Sequence, residues 1–149
     1  MKEQAAMLSS CIFTDHQVQS KLKQKRKLGK FINELIYHYT QKSNQVSYTF
    51  VDDAFLFEMN MKHLQHDTYT DIITFNLSQQ KHQEILADIY ISADRVADNA
   101  KSLGVKYADE LLRVIIHGAL HLSGFNDNTK SKKQQMRDLE QTWMLAYSS

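Results

Sequence analysis

The run His117-Gly118-Ala119-Leu120-His121-Leu122-Ser123-Gly124-Phe125-Asn126-Asp127 places two imidazoles four residues apart in an apolar segment. On a helix that spacing puts both rings on one face, with Cβ atoms about 5–6 Å apart, close enough to share one ion. Gly124 predicts the end of the helix, and the turn it starts can return Asp127 to the same point. Two nitrogens and one oxygen with a fourth position open is the arrangement of a catalytic zinc rather than a structural one. An ion so held lowers the pKa of its water to about 7 and polarises a carbonyl or phosphoryl oxygen, so the chemistry expected is hydrolysis. Histidines at helical spacing often do no more than pack or face solvent. Here Ile115, Ile116, Ala119, Leu120 and Leu122 mark a core helix, where an imidazole without a partner is costly. Gly118 and Gly124 beside the histidines are expected to let ligand or substrate approach closely.

The elements that must position these residues follow from periodicity and punctuation. Ala6 to Phe13 reads as a short strand, and after polar residues Asp15 to Ser20 a long helix is predicted to about Gln41, with Leu28, Phe31, Ile32, Leu35, Ile36 and Tyr39 as its buried stripe. Val46 to Val51 reads as a strand, followed by a helix to about Leu64 capped by Asp52 or Asp53. His63 to Tyr69 is expected to be a loop, Thr70 to Leu77 and Ile85 to Ser92 strands, and Gln79 to Gln83 the hairpin connection between them. A helix from Ser92 or Ala93 should end at Gly104. Tyr107 to Leu122 is the most apolar helix of the chain. A last amphipathic helix runs from Lys130 to about Tyr147, with Met136, Leu139, Trp143 and Leu145 or Tyr147 facing inward. The sum is an α+β fold: one domain over residues 1–149, a small mixed sheet of about four strands flanked by helices, and a metal site at the end of a core helix.

Composition agrees with this. A chain of 149 residues with 42% hydrophobic and 23% charged residues can bury a core without staples. The single cysteine, Cys11, excludes an internal disulfide and a Cys-rich zinc site, fits a reducing compartment, and pushes a metal onto His and carboxylate ligands. Cys11 itself is expected to be a small buried apolar residue. Met1 to Ser10 lacks the apolar stretch of a signal peptide, and no run reaches the roughly 18 apolar residues of a membrane span, so a soluble cytoplasmic protein without a membrane partner is expected.

The His117 to Asp127 string resembles the H-G-x-L-H-L-x-G-Y-D-H motif of the YbeY family of metal-dependent endoribonucleases. Met59-Asn60, Asp67 to Phe75 and Ala87 to Ser92 resemble, in the same order, that family's L-N-x-x-Y-R, T-D-V-L-S-F and G-D-I-x-I-S segments, so the likeness spans Val46 to Asp127. Four departures stand out. Phe125 replaces Tyr, Asn126 replaces Asp, and Asp127 falls where the third metal-binding histidine stands, which is acceptable chemically but shifts metal preference. Upstream, Leu64 occupies the place of an arginine that helps handle phosphate, leaving Lys62 as a substitute. The resemblance implies a sheet flanked by helices, a Zn2+ or similar ion such as Ni2+, and attack of activated water on single-stranded RNA. It further implies a role in 16S rRNA 3′-end maturation and ribosome quality control, in contact with the ribosome or its proteins.

Gly118 stands where zinc proteases of the His-Glu-x-x-His type keep their general base. Either the ion's own water suffices or another carboxylate assists; Asp71, an acid on an otherwise apolar predicted strand, is the candidate, with capping or pairing at a strand end as its alternative. Lys130, Lys132 and Lys133 follow the proposed site and, with Lys62, are candidates for RNA phosphates. Six cations between Lys21 and Lys30 fit either the same use or a solvated helix face. Tyr69 and Phe125 could stack on an unpaired base, although packing is the commoner fate of such rings. Two other functions remain open at this point: a non-catalytic ribosome- or RNA-binding protein with a structural metal, and a zinc peptidase, against which the missing Glu at position 118 argues.

Overall fold

The computed structural model describes residues 8–64, 70–78 and 84–149, so the Gln79 to Gln83 connection, Tyr69 and most of the His63 to Tyr69 loop lie outside the described residues. Within them the order is β1 (Ser10–Asp15), α1 (Lys25–Thr40), β2 (Ser43–Val51), α2 (Asp53–Leu64), β3 (Ile72–Asn76), β4 (Glu84–Ser92), α3 (Ala93–Leu103), α4 (Tyr107–Leu122) and α5 (Lys130–Ser148). The strands form one mixed sheet in the order β1-β2-β4-β3, parallel across β1, β2 and β4, with β3 antiparallel at one edge. The α+β architecture expected from the sequence is therefore the one observed.

Strand alternation divides the apolar residues between two faces. Val46, Tyr48 and Phe50 of β2 and Ile85, Ala87, Ile89 and Ile91 of β4 face α1 and α4 in the main core, while Val51, Leu56 and Ile73 form a small second core under α2. Gly118 brings α4 unusually close to the sheet: a Cβ there would lie 3.1 Å from methyl carbons of both Ile72 and Ile89. Tyr48, fully buried, donates from its hydroxyl to the Ile115 carbonyl of α4 at 2.8 Å. The glycine thus serves contact between helix and sheet, not the approach of a ligand as expected.

Most boundaries follow local chemistry. Asp52 accepts from Phe55 N at 2.7 Å and caps α2, Ser92 accepts from Arg95 N and caps α3, and Gly104, at φ 68°, ends α3. The start of α1 is the main departure, because the helix begins at Lys25 rather than just after Ser20. Gln17, Lys21 and Gln24 all adopt positive φ, and the segment is pinned by buried Ser20, whose amide donates to Asp15 and whose carbonyl accepts from the Tyr107 hydroxyl at 2.9 Å. On α5, Met136 is buried and Leu139, Trp143, Met144 and Tyr147 pack against the core, whereas Leu145 is exposed.

A buried amide pair joins α1 to the sheet. Asn33 donates to the Ser10 carbonyl at 3.0 Å and to Asn44 Oδ1 at 2.6 Å, and Asn44 returns a bond to the Asn33 carbonyl at 3.1 Å. Asn33→Ala leaves the Asn44 side chain and the Ser10 carbonyl short of partners, and the expected loss is roughly 1–3 kcal/mol in urea unfolding, with native circular dichroism retained. Cys11 lies against the core, where burial pushes its thiol up to about 12. Alkylation of the folded protein near neutral pH is therefore expected to be far slower than of the urea-unfolded chain, a difference readable by mass spectrometry.

Candidate metal centre

Helix α4 carries a polar stripe through an apolar setting. Glu110, Arg113, His117 and His121 follow one another at steps of three, four and four residues, which keeps them on one face. The opposite side, with Leu111, Val114, Ile115, Ala119 and Leu122, is buried in the core. The His117 and His121 rings stand 4.7 Å apart at their centroids, at 69° to one another.

The helix ends in a glycine turn that delivers the third residue. The Phe125 amide donates to the Leu120 carbonyl and the Gly124 amide to that of His121, both at 3.1 Å, with Gly124 at φ 105°. This paired closure is the Schellman pattern and satisfies carbonyls that a bare helix end would orphan. Phe125 then packs edge-on against Tyr39 of α1 at 4.9 Å, so its ring belongs to the core rather than to a base-stacking surface. Two residues on, Asp127 turns back over the histidines: its oxygens lie 3.9 Å from His117 Nε2 and 3.8 Å from His121 Nε2.

One ligand atom from each of His117, His121 and Asp127 falls within 4.8 Å of the other two. Two imidazole nitrogens and a carboxylate oxygen suit zinc and its divalent neighbours, with bonds of about 2.0–2.2 Å. The partly exposed Asp127 is the residue with room to close the remaining gap. The residues present therefore fit a metal ion. His121 is held below its ordinary pKa by burial and by neighbouring His117, against the pull of Asp127 and Glu140, which favours the neutral ring that binds metal.

Behind His117 lies a network that sequence reading missed. Glu140 of α5, 3% exposed, places Oε2 2.7 Å from His117 Nδ1. Its other oxygen accepts from Arg113 Nη1 at 3.0 Å, while Arg113 Nε and Nη2 grip both oxygens of buried Glu110 at 2.8 and 2.7 Å. Burial pushes the Glu140 carboxyl upward, but its bond with His117 and the Arg113 charge outweigh that and hold it below the usual carboxylate range. The bonds to Glu110 likewise hold Arg113 above its ordinary value against burial.

Asp71 lies one residue ahead of β3 rather than within the strand, and its carbonyl accepts from Ser92 N at 3.0 Å. Its neighbour Ile72 packs against Gly118 of α4, and Asp71 feels the charges of Arg113 and His117 on that helix. Burial raises its carboxyl pKa, and the charges of Arg113 and His117 only partly counter this. Lys130, Lys132 and Lys133 are exposed on the first turn of α5, just past the Asp127 loop, and Thr129 caps that turn. Lys62 is exposed near the end of α2, on the face of the sheet away from α4. Lys21 and Lys23 of the Lys21 to Lys30 cluster lie near Tyr107, at the end of α4 remote from the histidines, about 15 Å from His117 and about 21 Å from His121 along the helix at 1.5 Å per residue.

Comparison with known proteins agrees with this geometry. The family model described as Endoribonuclease YbeY matches residues 12–148. The chain is similar to the Endoribonuclease YbeY of Porphyromonas gingivalis, at 43% identity over 78% of this chain and 76% of that one, and to that of Cytophaga hutchinsonii, at 40% identity over 86% and 89%. The solution structure of a Thermotoga maritima protein aligns with a TM-score of 0.58 and 26% identity over 93% of this chain and 91% of that one. By the reach of that match and the identity of these relatives, the chain belongs to the YbeY endoribonuclease family.

Proposed function

We propose that this protein is a metal-dependent endoribonuclease specific for single-stranded RNA, with His117, His121 and Asp127 holding one Zn2+ or comparable divalent ion. The observation that carries the reading is the convergence of these three side chains at the end of α4 in a chain of this family. An ion bound there supplies Lewis acidity, making water nucleophilic near neutral pH and drawing charge from a phosphoryl oxygen.

The chain's own residues supply the rest. Asp71, whose carboxyl pKa burial raises against the charges of Arg113 and His117, is the carboxyl we assign to take or return a proton. Lys130, Lys132 and Lys133 hold phosphates of the strand beside the Asp127 loop, and Lys62, on the other face of the sheet, is left for phosphates remote from the cut. We place the activity in 16S rRNA 3′-end maturation and ribosome quality control, with the ribosome or its proteins as partners and the cytoplasm as location. No helix among the described residues is long and apolar enough to cross a membrane.

A peptidase finds no support at position 118: a Glu side chain there would be driven into Ile72 and Ile89 rather than toward the ion. A non-catalytic RNA-binding protein with a structural metal differs in its expected behaviour, since it would keep RNA binding without turnover.

Purified His117→Ala and His121→Ala proteins are expected to lose the zinc that the parent retains after dialysis, measured by elemental analysis. In the same preparations the parent should cleave a single-stranded rRNA 3′-end fragment, and His121→Ala or chelated parent should not; intact RNA with zinc-loaded, folded parent would favour the binding-only reading. Asp71→Asn is expected to keep its zinc and to lower kcat by roughly 10²–10⁴, the usual range for a general acid or base. Parent-like turnover would remove Asp71 from the chemistry.

A further inference from the structure

We propose that Glu140 is a positioning residue that selects the tautomer of His117, placing the ring proton on Nδ1 and leaving Nε2 unprotonated toward Asp127 and His121. The inference rests on the metal-site reading above and names what prepares one of its ligands. Glu140 has no slack in this arrangement, since Oε2 faces His117 Nδ1 at 2.7 Å and Oε1 is occupied by Arg113 at 3.0 Å. A charged carboxylate accepts and does not donate, so this contact is favourable only when Nδ1 carries the proton. The opposite tautomer would set a ring lone pair against Glu140 and place a proton on the nitrogen that lies 3.9 Å from Asp127.

Arg113 keeps the carboxylate in place, and Glu110 keeps Arg113 in place. The guanidinium gives Nε and Nη2 to Glu110 and Nη1 to Glu140, so its planar fork is fixed on both sides by acids that are themselves buried. Glu110 and Arg113 stand on α4 with His117, whereas Glu140 comes from α5, so docking of α5 completes the arrangement. Carboxylates behind a metal-bound imidazole raise its basicity and fix its ring, and their loss typically weakens metal binding by about tenfold to a hundredfold.

The first test needs neither a variant nor a metal. In metal-free parent at mildly alkaline pH, the imidazole nitrogen resonances of His117 should show a protonated Nδ1 and an unprotonated Nε2; a protonated Nε2 overturns the proposal. The second test is zinc affinity by competition with a chromophoric chelator. Glu140→Gln is expected to bind zinc about tenfold to a hundredfold more weakly with circular dichroism unchanged. A purely structural Glu140 would alter thermal stability alone, and parent-like zinc affinity in Glu140→Gln overturns the proposal. Should that variant unfold, the triple variant Glu140→Gln, Arg113→Met and Glu110→Gln removes the cation together with both of its carboxylate partners, so that no buried charge is left unpaired. It is expected to fold and show the same weakened affinity, and parent-like binding by it would again overturn the proposal. Absence of zinc binding by the parent would refute the metal reading itself, while the nitrogen resonances would still decide the tautomer.

Discussion

Helix α4 has to be both the centre of the core and the carrier of charge, and the rest of the fold is arranged around that demand. On one side it lies against the sheet, with Gly118 between Ile72 and Ile89 and Tyr48 bonded to the Ile115 carbonyl. Its other side holds Glu110, Arg113, His117 and His121, polar groups that would each be costly in apolar surroundings without a partner. Helix α5 supplies the partner in Glu140, so the layer that covers α4 also neutralises it. Because both acids and the guanidinium are bonded at more than one atom, the stripe is held rigidly.

The centre draws on elements of different stiffness. His117 and His121 sit on a buried helix, and Asp127 arrives on a short loop whose path is set by the glycine turn and by Phe125 packing on Tyr39. The aromatic contacts continue through Trp143, which donates from its indole nitrogen to the Tyr39 hydroxyl at 2.8 Å and so ties α5 to α1. The loop bearing Asp127 is thus anchored at its start by α1 and at its end by α5.

Much of this could be read from residue order. The α4 limits, the caps at Asp52 and Ser92, the Gly104 stop and the convergence of His117, His121 and Asp127 all rest on local rules: helical spacing, a side-chain cap, a positive-φ glycine. What could not be read was set by contacts distant in sequence. The start of α1 is delayed because the Ser20 segment is fastened to Tyr107, far along the chain. Gly118 looked like room for a ligand and proved to be room for a sheet. Glu140 was overlooked although a signal existed: it lies four residues after Met136 and three before Trp143, an acid on the buried stripe of an amphipathic helix. Glu110 and Arg113 offered the same sign on α4. A charge on an apolar face asks for a partner, and here the partners were one another.

The order of elements also bears on how the chain comes to be folded. Every strand of the sheet precedes α4, and β2 pairs in parallel with the distant β4, from Ser43 with Glu84 to Val51 with Ser92. During synthesis the face bearing Tyr48, Ile89 and Ile91 emerges before the helix that covers it, leaving an apolar surface of the kind that invites aggregation. Non-local pairing of this type is slow to form. Closure of that surface waits for residues 107–122, which are also the residues that carry the histidine pair. A chain that has buried its sheet has therefore already set its two imidazoles side by side, and selection for a foldable core and selection for the site act on one and the same helix.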